Sequence, residues 1–211
     1  MQNKTIDQAL EKVTKVQIVS RETICNFIAY GELLEKWNKT VNLVGKSTLA
    51  DFWDRHVLDS LQLYRYIESP ETQIIADLGS GAGFPGMILA MAGAKHMHLI
   101  ESDARKCAFL SEVAARTHTK ITIHNCRIET FQQKVDGITA RALAPLTELI
   151  NYGKDILNPS GKMILLKGQD WQNEITTARN AGFSGAIADY PSLTDAAARV
   201  LVVDVEGSVH A

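Results

Sequence analysis

Cysteine is scarce: three residues among 211, at positions 25, 107 and 126, are too few and too widely spaced for a disulfide framework or a thiolate zinc site. They read as reduced thiols, and no metal is implied. Proline is scarce too, with five in all, so the composition offers no polyproline spacer. No stretch is apolar enough to span a bilayer. Residues Met1–Lys15 scatter Lys4, Asp7, Glu11, Lys12 and Lys15 among apolar side chains and lack the apolar centre of a secretion signal, which predicts a cytoplasmic protein. An excess of one charge is also missing. With 22 Lys+Arg against 24 Asp+Glu the net charge is -2 at pH 7, so a polyanionic partner would have to be met by a local patch. There is no heptad seam and no internal repeat, which leaves a monomer as the expectation.

What is present is a chain that is 45% hydrophobic and 22% charged, enough for one α/β core with a small appendage. Ser20 is placed to cap a helix reaching Trp37, because Ile24, Phe27, Ile28, Leu34 and Trp37 recur near helical spacing. Ser47 is placed to cap a second, with Phe52, Val57, Leu58, Leu61 and Leu63–Tyr66 as its apolar surface and Pro70 as its end. From Gln73 short apolar runs alternate with helical stretches, the pattern of a parallel sheet covered on both faces. Strands are predicted at Ile74–Leu78, Met97–Glu101, Ile121–His124, Gly137–Ala140 and Met163–Lys167. A last helix over Trp171–Ala181 stops at Gly182, and the runs Phe183–Ala188 and Val200–Val205 are expected to pair as antiparallel edge strands. Residues 1–72 thus form a helical extension or lid, and residues 73–211 a mostly parallel seven-stranded sheet domain with an antiparallel edge.

The chemistry concentrates at Asp77–Gly86, D-L-G-S-G-A-G-F-P-G, between the first strand and the helix expected to start near Phe84. Glycines there let backbone approach a ligand, and the helix N-terminus directs unpaired amides at it. Gly81, Gly83 and Gly86 also satisfy G-x-G-x-x-G, so spacing alone leaves a dinucleotide such as NAD open. Asp77, two residues before Gly79, favours S-adenosylmethionine instead, since a carboxylate attracts a ligand ammonium or sulfonium and repels a pyrophosphate. Asp77, Gly79, Gly81 and Gly83 are therefore taken as cofactor-binding. Glu101 closes the second strand about twenty residues on, where an acid accepts hydrogen bonds from ribose hydroxyls. Asp103 reads as the N-cap of the following helix rather than as a ligand contact.

Together Asn42–Gly45, Arg55–Ser60, Asp77–Gly86, Glu101–Lys106, Arg141–Ala144 and Lys167–Gly168 resemble the ribosomal RNA small subunit methyltransferase G family, also called glucose-inhibited division protein B. The resemblance runs from Trp37 to Val203. It implies a class I (Rossmann-like) methyltransferase fold and a bacterial enzyme that uses S-adenosylmethionine. The implied acceptor is N7 of one guanine in the decoding-region loop of 16S ribosomal RNA, free or in the small subunit. The family's cofactor positions fall on Gly79, Phe84, Ile128, Glu129 and Arg141. The tail departs from the family pattern, reading Asp204-Val205-Glu206-Gly207-Ser208 where relatives often carry a basic residue.

Guanine N7 has an in-plane lone pair and no proton, so its methylation needs positioning rather than a general base. The absence of an Asn-Pro-Pro-Tyr element and of a Pro-Cys nucleophile agrees with that. His56, Asp59 and Lys167 are the candidates for orienting the acceptor. Arg55, Arg105, Lys106, Arg127, Arg141 and Lys167 follow strand ends or flank them from the lid and are expected to form a phosphate-facing rim. Arg141 keeps three readings: cofactor contact, phosphate contact, or an ion pair with a sheet-edge acid. The rival functions are a small-molecule methyltransferase, an NAD-dependent oxidoreductase and a non-catalytic RNA-binding module.

Overall fold

The computed structural model describes residues 2–205, so Met1 and the tail residues Glu206, Gly207 and Ser208 lie outside the described residues. Two helices open the chain, α1 (Gln2–Thr14) and α2 (Arg21–Trp37). Ser20 caps α2 as expected: its backbone is extended and its hydroxyl accepts the Thr23 N–H at 3.1 Å. The buried face of α2 carries Ile24, Phe27, Tyr30 and Leu34, at helical spacing.

Ser47 does not start a long helix. The chain instead forms α3 (Lys46–Leu49), a π-helix over Phe52–Leu58, the single turn α4 (Asp59–Leu61) and a 3-10 turn over Gln62–Tyr66. The apolar residues here serve two separate cores. Val57, Leu58 and Leu61 join the one beneath the glycine turn, whereas Leu63 and Ile67 join another with Ile75, Met97 and Ile164. One uniform helical pitch cannot aim side chains at both, and the changes of pitch supply the rotation.

The strands are β1 (Ile74–Leu78), β2 (His96–Glu101), β3 (Thr122–Asn125), β4 (Val135–Arg141), β5 (Leu157–Lys167), β6 (Ile187–Pro191) and β7 (Arg199–Asp204), in the order β3-β2-β1-β4-β5-β7-β6. β1 to β5 are parallel, and β7 runs antiparallel to both β5 and β6. The reversed strand therefore sits one place in from the edge, with β6 outside it. Helices α5 (Gly86–Met91) and α6 (Ala104–Thr117) cover one face with α2, while α7 (Leu146–Ile156) and α8 (Trp171–Asn180) cover the other. Strands buried on both faces need no alternation, which is why Ile74–Ala76 of β1 and Met163–Leu166 of β5 read as continuous apolar runs. This is the class I (Rossmann-like) methyltransferase architecture.

The predicted strand at Phe183–Ala188 is displaced to Ile187–Pro191. Phe183 is the reason: it is buried and its amide bonds back to Ala178, while Arg179 donates to the carbonyls of Phe183 and Gly185 and lies over the Phe183 ring. Phe183 closes α8 instead, while Ile187 and Ala188 of the same run enter β6. Strand order reverses between β1 and β4, so the connections that leave their carboxyl ends go to opposite faces of the sheet, the place where ligands bind in such sheets. Among the described residues no helix is long and apolar enough to cross a membrane.

Candidate active site

β1 delivers Asp77 and Leu78 into the turn, and Gly79, Gly81 and Gly83 follow at φ +61°, +56° and +93°. A methyl group on Gly81 would meet only the Gly79 carbonyl oxygen, at 3.7 Å, so there is open space above that glycine. Gly83 faces inward, where a methyl group would lie 2.7 Å from the Tyr30 hydroxyl and 2.9 Å from Leu110. One glycine thus admits a ligand while the other admits the lid helix. The turn is tied to α2 by the Tyr30 hydroxyl, which donates to the Ala82 carbonyl.

Asp77 lies wholly beneath this turn. Its Oδ1 accepts the Thr139 hydroxyl at 2.9 Å, and Ser80 and the Gly86 amide also act on the carboxylate. Burial pushes its pKa up to about 6, against the opposing pull of Thr139. In this conformation Asp77 supports the turn from below. α5 starts at Gly86 rather than near Phe84, because Phe84 belongs to the turn and is itself 4% exposed.

Glu101 ends β2 beside the turn. Its Oε2 accepts the Gly81 amide at 2.9 Å and its Oε1 the Asp103 amide at 2.8 Å, which leaves each oxygen a further lone pair. Asp103 caps α6 as expected, accepting the Arg105 amide at 2.8 Å. Ile128 and Glu129 form a 3-10 turn after β3, and Tyr152 of α7 donates to Glu129 at 3.2 Å and to Glu148 at 2.7 Å. The turn and its surroundings thus offer open space over Gly81, spare lone pairs on Glu101 and an apolar side chain at Ile128.

The adjoining cleft, about 880 Å³, lies beyond the ends of β4 and β5. The lid lines it with Val44, Thr48, Arg55, His56 and Asp59, and the sheet domain with Arg141–Thr147 and Leu166–Gly168. Arg141 closes β4 as the hub. Its Nη1 donates to the Arg55 carbonyl at 2.6 Å and to Asp59 at 3.2 Å, and its Nη2 to His56 Nδ1 at 3.0 Å. The ion pair is thus with the lid, not with a sheet-edge acid. Ala142 follows in the left-handed region at φ +51°, a strained conformation for a residue with a Cβ.

His56 and Asp59 do not pair with each other; both hold Arg141. His56 also stacks on Phe84 at 4.6 Å, and burial together with Arg141 and Arg55 lowers its pKa to about 4. It is neutral at pH 7. Asp59 reaches across to the β6–β7 loop, accepting the Thr194 hydroxyl at 2.6 Å. Thr194, like Thr48 and Glu174, carried no signal in the sequence, since an ordinary loop threonine or first-turn acid looks the same wherever it sits.

The expected basic rim does not form as one set. Lys167 is 8% exposed and its ammonium is engaged by Glu174 at 2.6 Å and the Ala144 carbonyl at 2.9 Å, while Glu174 also caps the Leu146 amide at 2.7 Å. A buried ammonium needs such partners, and they turn Lys167 into a wall of the cleft. Arg105 and Arg127 are exposed with Lys106 beside them, on the β2–β3 flank, whereas Arg55, Arg141 and Lys167 belong to the β4–β5 side. Arg105 is already paired with Asp103, at 2.9 Å. Within the cleft three cations, Arg55, Arg141 and Lys167, face four carboxylates, Asp59, Asp170, Glu174 and Asp195.

A family model described as rRNA small subunit methyltransferase G matches residues 23–194. Curated relatives of that name include one from Orientia tsutsugamushi strain Ikeda, 49% identical over 160 residues (76% of this chain, 80% of the relative). Another, from Paramagnetospirillum magneticum, is 46% identical over 184 residues (87% and 89%). Among solved structures the fold is similar to magnesium protoporphyrin IX methyltransferase from Synechocystis PCC 6803, at TM-score 0.58 and 13% identity over 89% of this chain and 98% of that one. It is also similar to the ribosomal protein L11 methylase of Lactobacillus delbrueckii, at TM-score 0.58 and 19% identity over 69% and 76%. With a family model matching residues 23–194 and relatives at 46–49% identity over most of its length, the chain belongs to the rRNA small subunit methyltransferase G family.

Proposed function

We propose that this rRNA methyltransferase transfers a methyl group from S-adenosylmethionine to N7 of one guanine in the decoding-region loop of 16S ribosomal RNA. When bound, S-adenosylmethionine supplies an electrophilic methyl group. The residues that would hold it are Gly79 and Gly81 of the turn, Glu101 at the ribose, Ile128 and Glu129 at the base, and Phe84 and Arg141 toward the cleft; Gly83, expected from the sequence to join them, instead packs the turn against α2. Asp77 acts from beneath by holding the turn.

The observation that carries the acceptor assignment is that every acid and base lining the cleft is already engaged. Asp59 accepts from Arg141, Gln62 and Thr194; Glu174 from Lys167 and the Leu146 amide; Asp170 from Asn173; Asp195 from the Ala197 amide, with Arg55 at 3.7 Å. Both nitrogens of His56 have partners. Among the described residues no side chain of the cleft is arranged as a dedicated proton acceptor, so the cleft suits a nucleophile that has no proton to lose. Exocyclic amino nitrogens lose one on methylation, whereas guanine N7 does not. Positioning alone supplies roughly 7 to 11 kcal/mol of barrier lowering in well-oriented reactions, enough for a site that contributes little else.

Because the cleft has one more carboxylate than cations, phosphate attraction falls to Arg105, Lys106 and Arg127 on the neighbouring flank. The test is methyl transfer to small subunits, and to their naked 16S RNA, from cells lacking this gene, followed by mapping with chemistry that cleaves at N7-methylguanine. One cleavage in the decoding-region loop is the expected result. A methyl group on an exocyclic nitrogen would refute the proposal, as would binding of NAD but not of S-adenosylmethionine in a calorimetric titration.

A further inference from the structure

The lid, the glycine turn and the end of β4 meet at one imidazole. His56 is 4% exposed and lies parallel to Phe84, with ring centres 4.6 Å apart, and Phe84 stacks in turn on Tyr30 at 5.2 Å. Its Nδ1 is 3.0 Å from Arg141 Nη2 and its Nε2 is 3.2 Å from the Thr48 hydroxyl. A guanidinium only donates, so Nδ1 must accept, and the ring proton resides on Nε2 toward Thr48. Three N–H groups of Arg141 are thereby occupied by the lid: two on Nη1, with the Arg55 carbonyl and Asp59, and one on Nη2, with His56. Among the described residues the Nε–H and the second Nη2 hydrogen have no hydrogen-bond acceptor; the guanidinium lies over the Phe84 ring, 5.0 Å from its centre, and the side chain, 18% exposed, lines the cleft.

We propose that His56 is a positioning residue for the methyl-donor site: as a neutral Nδ1 acceptor it fixes the Arg141 guanidinium so that its two unpartnered N–H groups are presented to a ligand carboxylate. The proposal rests on the reading of Arg141 as a donor-binding residue and names what orients it. The surroundings make the acceptor role obligatory. Arg141 from β4 and Arg55 from the π-helix are the cations facing the ring, Thr48 faces it from α3, and Phe52 and Phe84 enclose it. The nearby carboxylates are directed elsewhere, Asp59 to Arg141 and Asp195 to Arg55. A proton on Nδ1 would face a guanidinium with no acceptor in reach. It would eject Arg141 from the lid.

The test compares His56→Phe, which keeps the stack and removes the acceptor, with His56→Asn, whose amide oxygen falls near the Nδ1 position and does not titrate. The probe is S-adenosylhomocysteine, the demethylated donor, titrated calorimetrically, with steady-state methyl transfer measured alongside. His56→Phe is expected to weaken binding of the probe tenfold or more and to raise the donor KM far more than it lowers kcat, as for loss of a hydrogen bond to a charged group. His56→Asn is expected to recover most of that loss, and to keep its affinity on acidification through the range where the wild type loses it. Should His56→Phe fail to fold, His56→Gln replaces it, since its amide reaches toward Thr48 but leaves Nδ1 without a substitute. Undiminished probe affinity in a folded Phe or Gln variant would overturn the proposal, as would an Asn variant no better than Phe. A wild-type protein that does not bind the probe would instead overturn the donor-binding reading beneath it.

Discussion

Two buried groups of this site titrate in opposite senses, and replacing them one at a time should separate their effects on stability. Asp77 is completely buried and its pKa is raised from 3.8 to about 6, mainly by desolvation. The folded state holds its proton more tightly than the unfolded chain does, so its contribution to stability is present below pH 3.8 and is lost as pH rises through about 6. At 1.36 kcal/mol per pKa unit that is about 3 kcal/mol. His56 is the reverse: its pKa falls from 6.5 to about 4, so its contribution is present above pH 6.5 and is lost as pH falls toward 4. Because it borders an open cleft, solvent screening reduces its share to about 2 kcal/mol. Between pH 4 and pH 6.5 the two nearly cancel in the wild type. The assay is urea unfolding of wild type, Asp77→Asn and His56→Asn across that window. Relative to wild type, Asp77→Asn should gain stability as pH rises, and His56→Asn should gain it as pH falls. Differences that run in the same direction for both variants, or a flat Asp77→Asn difference, would refute the assignment of these charges.

Gly81→Ala should cost only the left-handed backbone, about 1 to 2 kcal/mol, yet weaken S-adenosylmethionine binding in calorimetry, because its methyl group enters the ligand's space. Gly83→Ala adds collision with Tyr30 and Leu110 and should cost about 2 to 5 kcal/mol in total, read as the larger fall in melting temperature. Glu174→Ala leaves the Lys167 ammonium unpaired in the cleft wall and uncaps α7; since Glu174 is 21% exposed, the loss should be about 2 to 3 kcal/mol by thermal unfolding. Exchanging Arg105 and Lys106 for Glu should lower RNA affinity and its salt dependence in filter binding while leaving donor binding intact; unchanged RNA affinity at moderate salt would contradict a phosphate role for that flank.

The parts legible in the sequence share a physical character: their determinants are local. Ile74–Ala76 of β1 and Met163–Leu166 of β5 announce themselves because strand segments buried on both faces read as unbroken apolar runs, and Ser20 and Asp103 because a cap is a property of four consecutive residues. The glycine turn is legible because positive φ selects glycine. What was not legible depends on partners distant in the chain. Asp59 meets Thr194 across 135 positions and Arg141 across 82, and neither separation leaves a pattern. Lys167 looks like any lysine after a strand until Glu174 and the Ala144 carbonyl are placed around it. Phe183 satisfied a strand pattern while its burial served the end of α8.

The π-helix at Phe52–Leu58 has a consequence for length variation. A π turn is an α turn with one residue added, so deleting a single residue there would relax the backbone to ordinary α pitch. Everything on one side of the deletion would then rotate by about 100° relative to the other. Arg55 and His56 lie within the wide turn and Asp59 just after it, and Arg141 binds all three. No such rotation keeps all three contacts. The segment therefore tolerates substitution of its exposed positions far better than loss of one residue, and the phase of the lid relative to β4 is written in the number of residues rather than in their identity.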